Sequence, residues 1–216
     1  MQRNRIIPIL TTSLAALAAT ASVASAASVT GTDSGERLVG TKAADSISAL
    51  GGNDRVFALN GADVVTAGEG NDLVVGGRGD DALSGEAGND LLFANAGVDV
   101  LNGGDGNDRL WAVARVDVVA GEGGSVDKVG DTLNGGAGND RLHARDGEAD
   151  TINCGDGTDV AILDNADVIA DATAANANGS CETVKRAAPK TRDANAINEN
   201  LQQRLADILA KMRGNR

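Results

Sequence analysis

The stretch "GEGNDLVVGGRGDDALSGEAGND", residues 68–90, holds three carboxylate-bearing turns that end at Asp72, Asp81 and Asp90. They return every nine residues, each behind glycines and each followed by a short apolar run. Carboxylates brought together repel one another, so a chain that repeats them needs something between them. The same period extends outward in unbroken nonads from residue 31 to residue 120, starting at 31, 40, 49, 58, 67, 76, 85, 94, 103 and 112. The sixth position reads Glu36, Asp45, Asp54, Asp63, Asp72, Asp81, Asp90, Asp99, Asp108 and Asp117. The eighth reads Leu38, Ile47, Val56, Val65, Val74, Leu83, Leu92, Leu101, Leu110 and Val119. Farther on, 121–134 carries an insertion, 135–143 is regular, 144–153 is one residue longer than nine, and 154–162 closes the series.

A period of this kind is the mark of a solenoid. Side chains alternate along a strand, so in a three-residue strand only the middle one points inward. The aliphatic at position eight is therefore expected to be the core. Glycines permit the positive φ of a tight turn and let carbonyl oxygens approach a ligand. Calcium takes about six to eight oxygen ligands at roughly 2.3–2.6 Å. One Asp cannot supply those, but two turns stacked about 4.8 Å apart, offering carboxylates and carbonyls together, can. A cation between successive carboxylates removes the repulsion.

Composition agrees with a thin core. The 216 residues include 31 acidic and 19 basic side chains and 29 glycines, but only two Phe, one Trp and no Tyr. Residues 27–184 carry net −19 and residues 185–216 net +5. So acidic a body argues against nucleic acid, which needs a basic face, and favours cations.

Units such as "GGDGNDRLW" (103–111) and "GGAGNDRLH" (135–143) resemble the RTX, or haemolysin-type, calcium-binding nonapeptide G-G-x-G-x-D-x-U-x. The resemblance implies an all-β parallel β-roll over residues 27–162, with two nonapeptides per coil and calcium in the glycine-rich turns. Alternate nonads then share an edge. One edge carries Asp54, Asp72, Asp90 and Asp108, each in a Gly-Asn-Asp turn, with Asp140 beyond the insertion. There the expected ion stack is well occupied, with Gly52, Gly70, Gly88, Gly106 and Gly138 as backbone ligands. The other edge carries Asp45, Asp63, Asp81, Asp99 and Asp117 in eroded turns, so weaker or partial sites are expected at Asp63, Asp81 and Asp99. Asp131, Asp150 and Asp159 sit in less regular turns; Asp150 is counted among the expected metal ligands.

The two sheets differ at position nine, which should face outward. One sheet carries Val39, Phe57, Val75, Phe93 and Trp111, which include every aromatic ring of Phe or Trp; the other carries Ser48, Thr66, Ser84, Asn102 and Ala120. Phe57, Val75, Phe93 and Trp111 are expected to form an exposed apolar ladder, and such a row marks a covered or partner-binding face.

The ends are read separately. Residues 1–26 have the charged, apolar, small-residue order of a secretory signal, with cleavage expected after Ala26, which predicts an extracellular protein. Cys154 and Cys181, the only cysteines, are expected to form one disulfide in an oxidising exterior. The pattern "INCGDGTD…NGSCETV" resembles the ends of some secreted single-domain RTX-repeat proteins and makes 163–186 a disulfide-linked cap. Asn178-Gly179-Ser180 matches a glycosylation sequon, a frequent chance match. Residues 187–216 are expected to form a linker and a C-terminal amphipathic α-helix, with Ile197, Leu201, Leu205, Ile208, Leu209 and Met212 on one face. This basic helix is expected to dock on the acidic roll, with oligomerisation, contact with a partner or membrane surface, and a free tail as rivals.

No enzyme is expected. The chain has one histidine, His143, and neither HExxH nor GxSxG. RTX-repeat enzymes are expected to carry their chemistry in a separate domain. The reading is a secreted calcium-binding protein with a structural or surface-interaction role. Its rivals are an adhesive or glycan-binding module using the aromatic face, and a non-catalytic remnant or partner of an exported RTX-type enzyme.

Overall fold

The computed structural model describes residues 25–112, 129–173 and 175–187. Strands alternate between two parallel sheets as the chain winds. Sheet A contains β1 (Ser28–Thr30), β3 (Ser46–Ser48), β5 (Val64–Glu69), β7 (Ala82–Ala87), β9 (Val100–Asp105), β11 (Thr132–Gly138), β13 (Thr151–Gly157) and β15 (Val168–Ile169). Sheet B contains β2 (Arg37–Val39), β4 (Arg55–Asn60), β6 (Leu73–Arg78), β8 (Leu91–Ala96), β10 (Arg109–Trp111), β12 (Arg141–Ala144), β14 (Val160–Leu163) and β16 (Thr183–Arg186). Each strand pairs with the one two places on, so the order in each sheet is the order of the coils. This is a β-roll with two nonads per coil. Among the described residues there is no helix. The helix expected at 193–214 lies outside them, as does nearly all of the expected signal segment.

The position-eight aliphatics stack as expected: Ile47 opposite Val65, Val65 opposite Leu83, and Leu83 opposite Leu101 in sheet A. Val56, Val74, Leu92 and Leu110 do the same in sheet B. All are at most 2% exposed, and burying each contributes about 2 kcal/mol. The strands are longer than three residues, however. Central ones such as β5 and β7 run to six residues and carry a second inward position, two places on. That position holds a small side chain or none: Ala49, Ala58, Ala67, Gly76, Gly85, Ala94 and Gly103 are all buried. The core is thus two columns, one large and one small, and narrow enough for the two sheets to close on each other.

Two boundaries move. The expected nonad at 112–120 does not supply the next coil, because Leu133 pairs with Leu101 and Leu142 with Leu110. The place beside Asp99 belongs to Asp131, and Asp117 lies outside the described residues. At the other end the coils continue past residue 162. β15 pairs with β13 and β16 with β14, so the segment read as a cap is the last turn of the roll.

The Cys154–Cys181 disulfide sits inside that last turn, with both sulfur-bearing residues at most 1% exposed. Cys154 occupies the small inward position that is Ala or Gly in other coils. The bridge therefore plugs the open end of the core. A loop of 27 residues of separation is worth about 3–4 kcal/mol of unfolded-state entropy.

Candidate metal centre

Each edge of the roll is a ladder of buried carboxylates. On the first, the backbone N–H of Asp54 donates to Asp72 Oδ1 (2.6 Å), Asp72 to Asp90 (2.8 Å), Asp90 to Asp108 (2.8 Å), Asp108 to Asp140 (2.8 Å) and Asp140 to Asp159 (2.8 Å). On the second, Asp45 donates to Asp63 (2.7 Å), Asp63 to Asp81 (2.9 Å), Asp81 to Asp99 (2.7 Å), Asp99 to Asp131 (2.8 Å), Asp131 to Asp150 (2.6 Å) and Asp150 to Asp167 (3.3 Å). One oxygen of each carboxylate thereby fixes the spacing between coils. All nine Asp residues expected as ligands fall on these two ladders.

The other oxygen has no such duty. Among the described residues, ten Oδ2 atoms are buried without a hydrogen-bond partner: those of Asp54, Asp63, Asp72, Asp81, Asp90, Asp99, Asp108, Asp140, Asp150 and Asp159. A buried carboxylate oxygen without a partner is costly, and a column of them more so. Protonation is one escape, and the acidities lean that way. Burial, with repulsion from nearby carboxylates, pushes Asp81 to about 8, Asp90 and Asp99 to about 7, Asp131 to about 8 and Asp150 to about 9. Asp63, Asp72, Asp108 and Asp159 are raised by burial as well. Asp45 goes the other way: burial pushes it up, but the Thr41 and Ala27 amides and the Thr41 hydroxyl outweigh that.

A cation is the other escape. The glycine column on the first edge lets the coils stack closely beside those oxygens. The carbonyl oxygens of Gly52, Gly70, Gly88, Gly106 and Gly138 each face the glycine of the next coil, 1.5–1.9 Å from where a Cβ would sit there. Any side chain would fill that space, and these positions also have positive φ. The donor set is oxygen throughout: the cysteines are bridged, and His143 lies on the outer face of sheet B. Buried oxygens of this hardness suit calcium, not a transition metal.

The family model of the RTX calcium-binding nonapeptide repeat (4 copies) matches residues 30–65, 50–83, 57–92, 75–110, 93–125 and 130–161. The chain belongs to this RTX family. No curated protein and no solved structure matches it. In this RTX chain calcium is the cofactor that the stacked Asp residues fit, and when bound it supplies the positive charge the orphaned oxygens lack.

Two parts of the RTX ladders escaped the sequence reading. The first is the far end: Glu36, read at position six, opens the first ladder by donating its N–H to Asp54 (2.6 Å), but Glu182, which closes it by accepting from Asp159 (2.6 Å), was not read as part of it. Reading Glu182-Thr183-Val184 and Asp167-Val168-Ile169 as worn copies of D-x-U would have found both final strands. The second is a column of exposed asparagines. Asn53, Asn71, Asn89, Asn107 and Asn139 bond in series, each Oδ1 accepting the next coil's backbone N–H at 2.7–3.0 Å, the last from Thr158. Their repetition one place before each Asp was the available signal.

The expected exposed ladder on sheet B exists as a column but is not exposed. Phe57 pairs with Val75, Val75 with Phe93, and Phe93 with Trp111. Yet Phe57 is 6% and Val75 7% exposed, while Phe93 and Trp111 are half-buried. The guanidinium of Arg37 lies over the Phe57 ring at 5.0 Å. Phe93 stacks on Trp111 at 6.0 Å and Trp111 on His143 at 3.7 Å, so the rings bury each other's faces. Burial, then the charges of Arg141 and Arg109, pushes His143 down to about 4 and keeps it neutral.

Proposed function

We propose that this chain is an exported, non-enzymatic calcium-binding roll with a structural or surface-interaction role. The observation that carries the reading is the pair of carboxylate ladders whose Oδ2 atoms are buried without partners. Their backbone bonds hold coil to coil, so calcium and fold are one equilibrium. Acidic, glycine-rich repeats bury too little apolar area to fold unaided. The disulfide and the millimolar calcium outside cells support export. A non-catalytic role is supported by the carboxylates' engagement in the ladders and by the neutral His143, held flat on Trp111.

The adhesive or glycan-binding reading is the weaker one. A sugar platform needs open ring faces, and here Phe57 is buried and Trp111 lies between Phe93 and His143. Residues 193–214 keep the roles set out above.

The test is a calcium titration of chelator-stripped protein, followed by far-ultraviolet circular dichroism with bound ions counted. Strand signal should be absent without calcium and should return cooperatively with several ions per chain. Full strand signal in the stripped protein, with an unchanged melting point, would reject the reading. Limited proteolysis of the calcium-loaded form adds the tail: docking requires 193–214 to be protected together with the roll.

A further inference from the structure

The turn between β12 and β13 departs from the others. It is one residue longer and reads Asp146-Gly147-Glu148-Ala149-Asp150. One ligand oxygen from each of Asp146, Glu148 and Asp150 lies within 4.8 Å of the other two. Asp146 is 6% exposed, Asp150 is fully buried, and Glu148 is half-buried. Independently of this clustering, Asp150 Oδ2 is buried with no hydrogen-bond partner, although its Oδ1 accepts the Asp131 amide. The turn is held by the Gly147 N–H on Asp164 Oδ2 (2.7 Å) and the Glu148 N–H on Asp146 Oδ1 (3.0 Å).

We propose that Asp146, Glu148 and Asp150 form a calcium site of a different build from the nonapeptide turns, which fills first and most tightly. The proposal rests on the calcium-roll reading and adds to it a named high-affinity position. Three arguments carry it. Oxygens on opposite sides of one calcium stand about 4.6–5.2 Å apart, twice the usual bond length. All three oxygens lie within 4.8 Å of one another, so a single calcium can reach all of them. Next, the carboxylates fall at alternate residues of one short turn, the spacing by which acidic loops wrap an ion. Such a set is local in sequence, whereas a nonapeptide site draws on two coils that must already be stacked. Finally, the nonapeptide turns set one buried carboxylate into the ladder, while this one adds a second buried group and a third half-buried one. Affinity among calcium sites rises with ligand charge.

The full chain is stripped with chelator, freed of it, and titrated by calorimetry with bound calcium counted after rapid desalting. The wild type should show one calcium per chain in a class about tenfold or more tighter than the rest. Glu148→Gln should merge that class with the others. Glu69→Gln, which removes the same charge from an exposed turn residue of the other edge, should leave it intact. Glu148→Asp keeps the carboxylate and should retain the tight class in weakened form, which serves if Glu148→Gln does not fold at millimolar calcium. A single class in the wild type, or a tight ion that survives Glu148→Gln, overturns the site while leaving the calcium roll standing. A chain that binds no calcium overturns the roll itself.

Discussion

The two edges of the roll look unequal in sequence and equal at their buried core. The first has Gly-Asn-Asp turns from Asp54 to Asp140, the second a set of worn ones such as AGVD before residue 100. Yet both ladders run unbroken, with amide-to-Oδ1 distances in the same range and Oδ2 atoms orphaned on each side. Burial pushes Asp81 and Asp99 of the second edge at least as high as Asp90 and Asp140 of the first. The difference lies outside, one residue earlier, where the first edge has its asparagine column and the second has Ala62, Asp80 and Val98. The buried carboxylate is fixed by the inter-coil hydrogen bond, whereas the exposed position is optional reinforcement. Glycine erosion therefore speaks to the turn's outer wall more than to its charge.

The largest expected effect sets both edges against pH. A carboxylate held higher in the folded than in the unfolded chain takes up protons on folding. Its contribution is complete below the unfolded value, near 4, and is lost as pH rises through the folded one, here about 6 to 9. Metal-free protein should thus gain strand signal on acidification from pH 9 to pH 5. Calcium saturation should need more metal over the same change, because protons compete for the same oxygens. Circular dichroism with and without chelator reads both, and a metal-free form that instead gains order as pH rises would contradict the raised acidities.

Next comes a matched pair, Asp90→Asn and Asp81→Asn. Each leaves the amide-to-Oδ1 bond possible and puts an NH2 where the orphaned oxygen was. Each should remove about one calcium and cost about 2–3 kcal/mol at subsaturating calcium. Trp111, the only tryptophan, reports the melt by its emission. Parity supports the equal-edge picture. A silent Asp81→Asn beside a costly Asp90→Asn would restore the ranking that worn glycines suggest. Asn89→Ala should cost less, about 1 kcal/mol, since it removes exposed bonds to the Asn107 amide and side chain (both 2.9 Å) without touching a carboxylate. An unchanged melting temperature would make that column incidental.

Much of this was legible beforehand because a nine-residue period fixes which residues stack. Position eight and the disulfide followed from spacing and composition, and the two carboxylate edges from the two nonapeptides per coil that the RTX resemblance implies. What failed depended on long-range choices. Asp117-Val118-Val119 and Asp131-Thr132-Leu133 both satisfy D-x-U, and only the three-dimensional register selects the second beside Asp99 and Leu101. The glycine-rich halves of the nonads also pair as strand, Gly104 opposite Gly136 and Gly136 opposite Gly155, against glycine's low strand propensity. Parallel stacking of identical turns overrides that preference. The ladder on sheet B was placed on the correct face, but its burial depends on rings and an arginine drawn from different coils.

The smallest expected effect tests erosion itself. At the second position of the nonad the chain turns with positive φ, and glycine fills it at Gly68, Gly77, Gly104, Gly136 and Gly155. Leu50, Leu59, Glu86 and Asn95 adopt the same geometry at φ of 76°, 91°, 72° and 85°. A leucine there bears roughly 1–2 kcal/mol of steric strain, against about 0.5–1 kcal/mol of extra unfolded-state entropy for glycine. Leu59 is 41% exposed, so little apolar burial is lost on its removal. Leu59→Gly should therefore stabilise the calcium-loaded roll by about 0.5 kcal/mol, raising the melting temperature by roughly 1–2 °C. Asn95→Gly should gain less, because asparagine tolerates this region. Glu86→Gly should gain nothing, since it also removes the Ser84 hydroxyl's bond to Glu86 Oε1 at 2.9 Å. Leu59→Gly falling below Glu86→Gly in calorimetric melting would mean that the strain at position two is relieved in solution, and that worn glycines on this roll carry no stability cost.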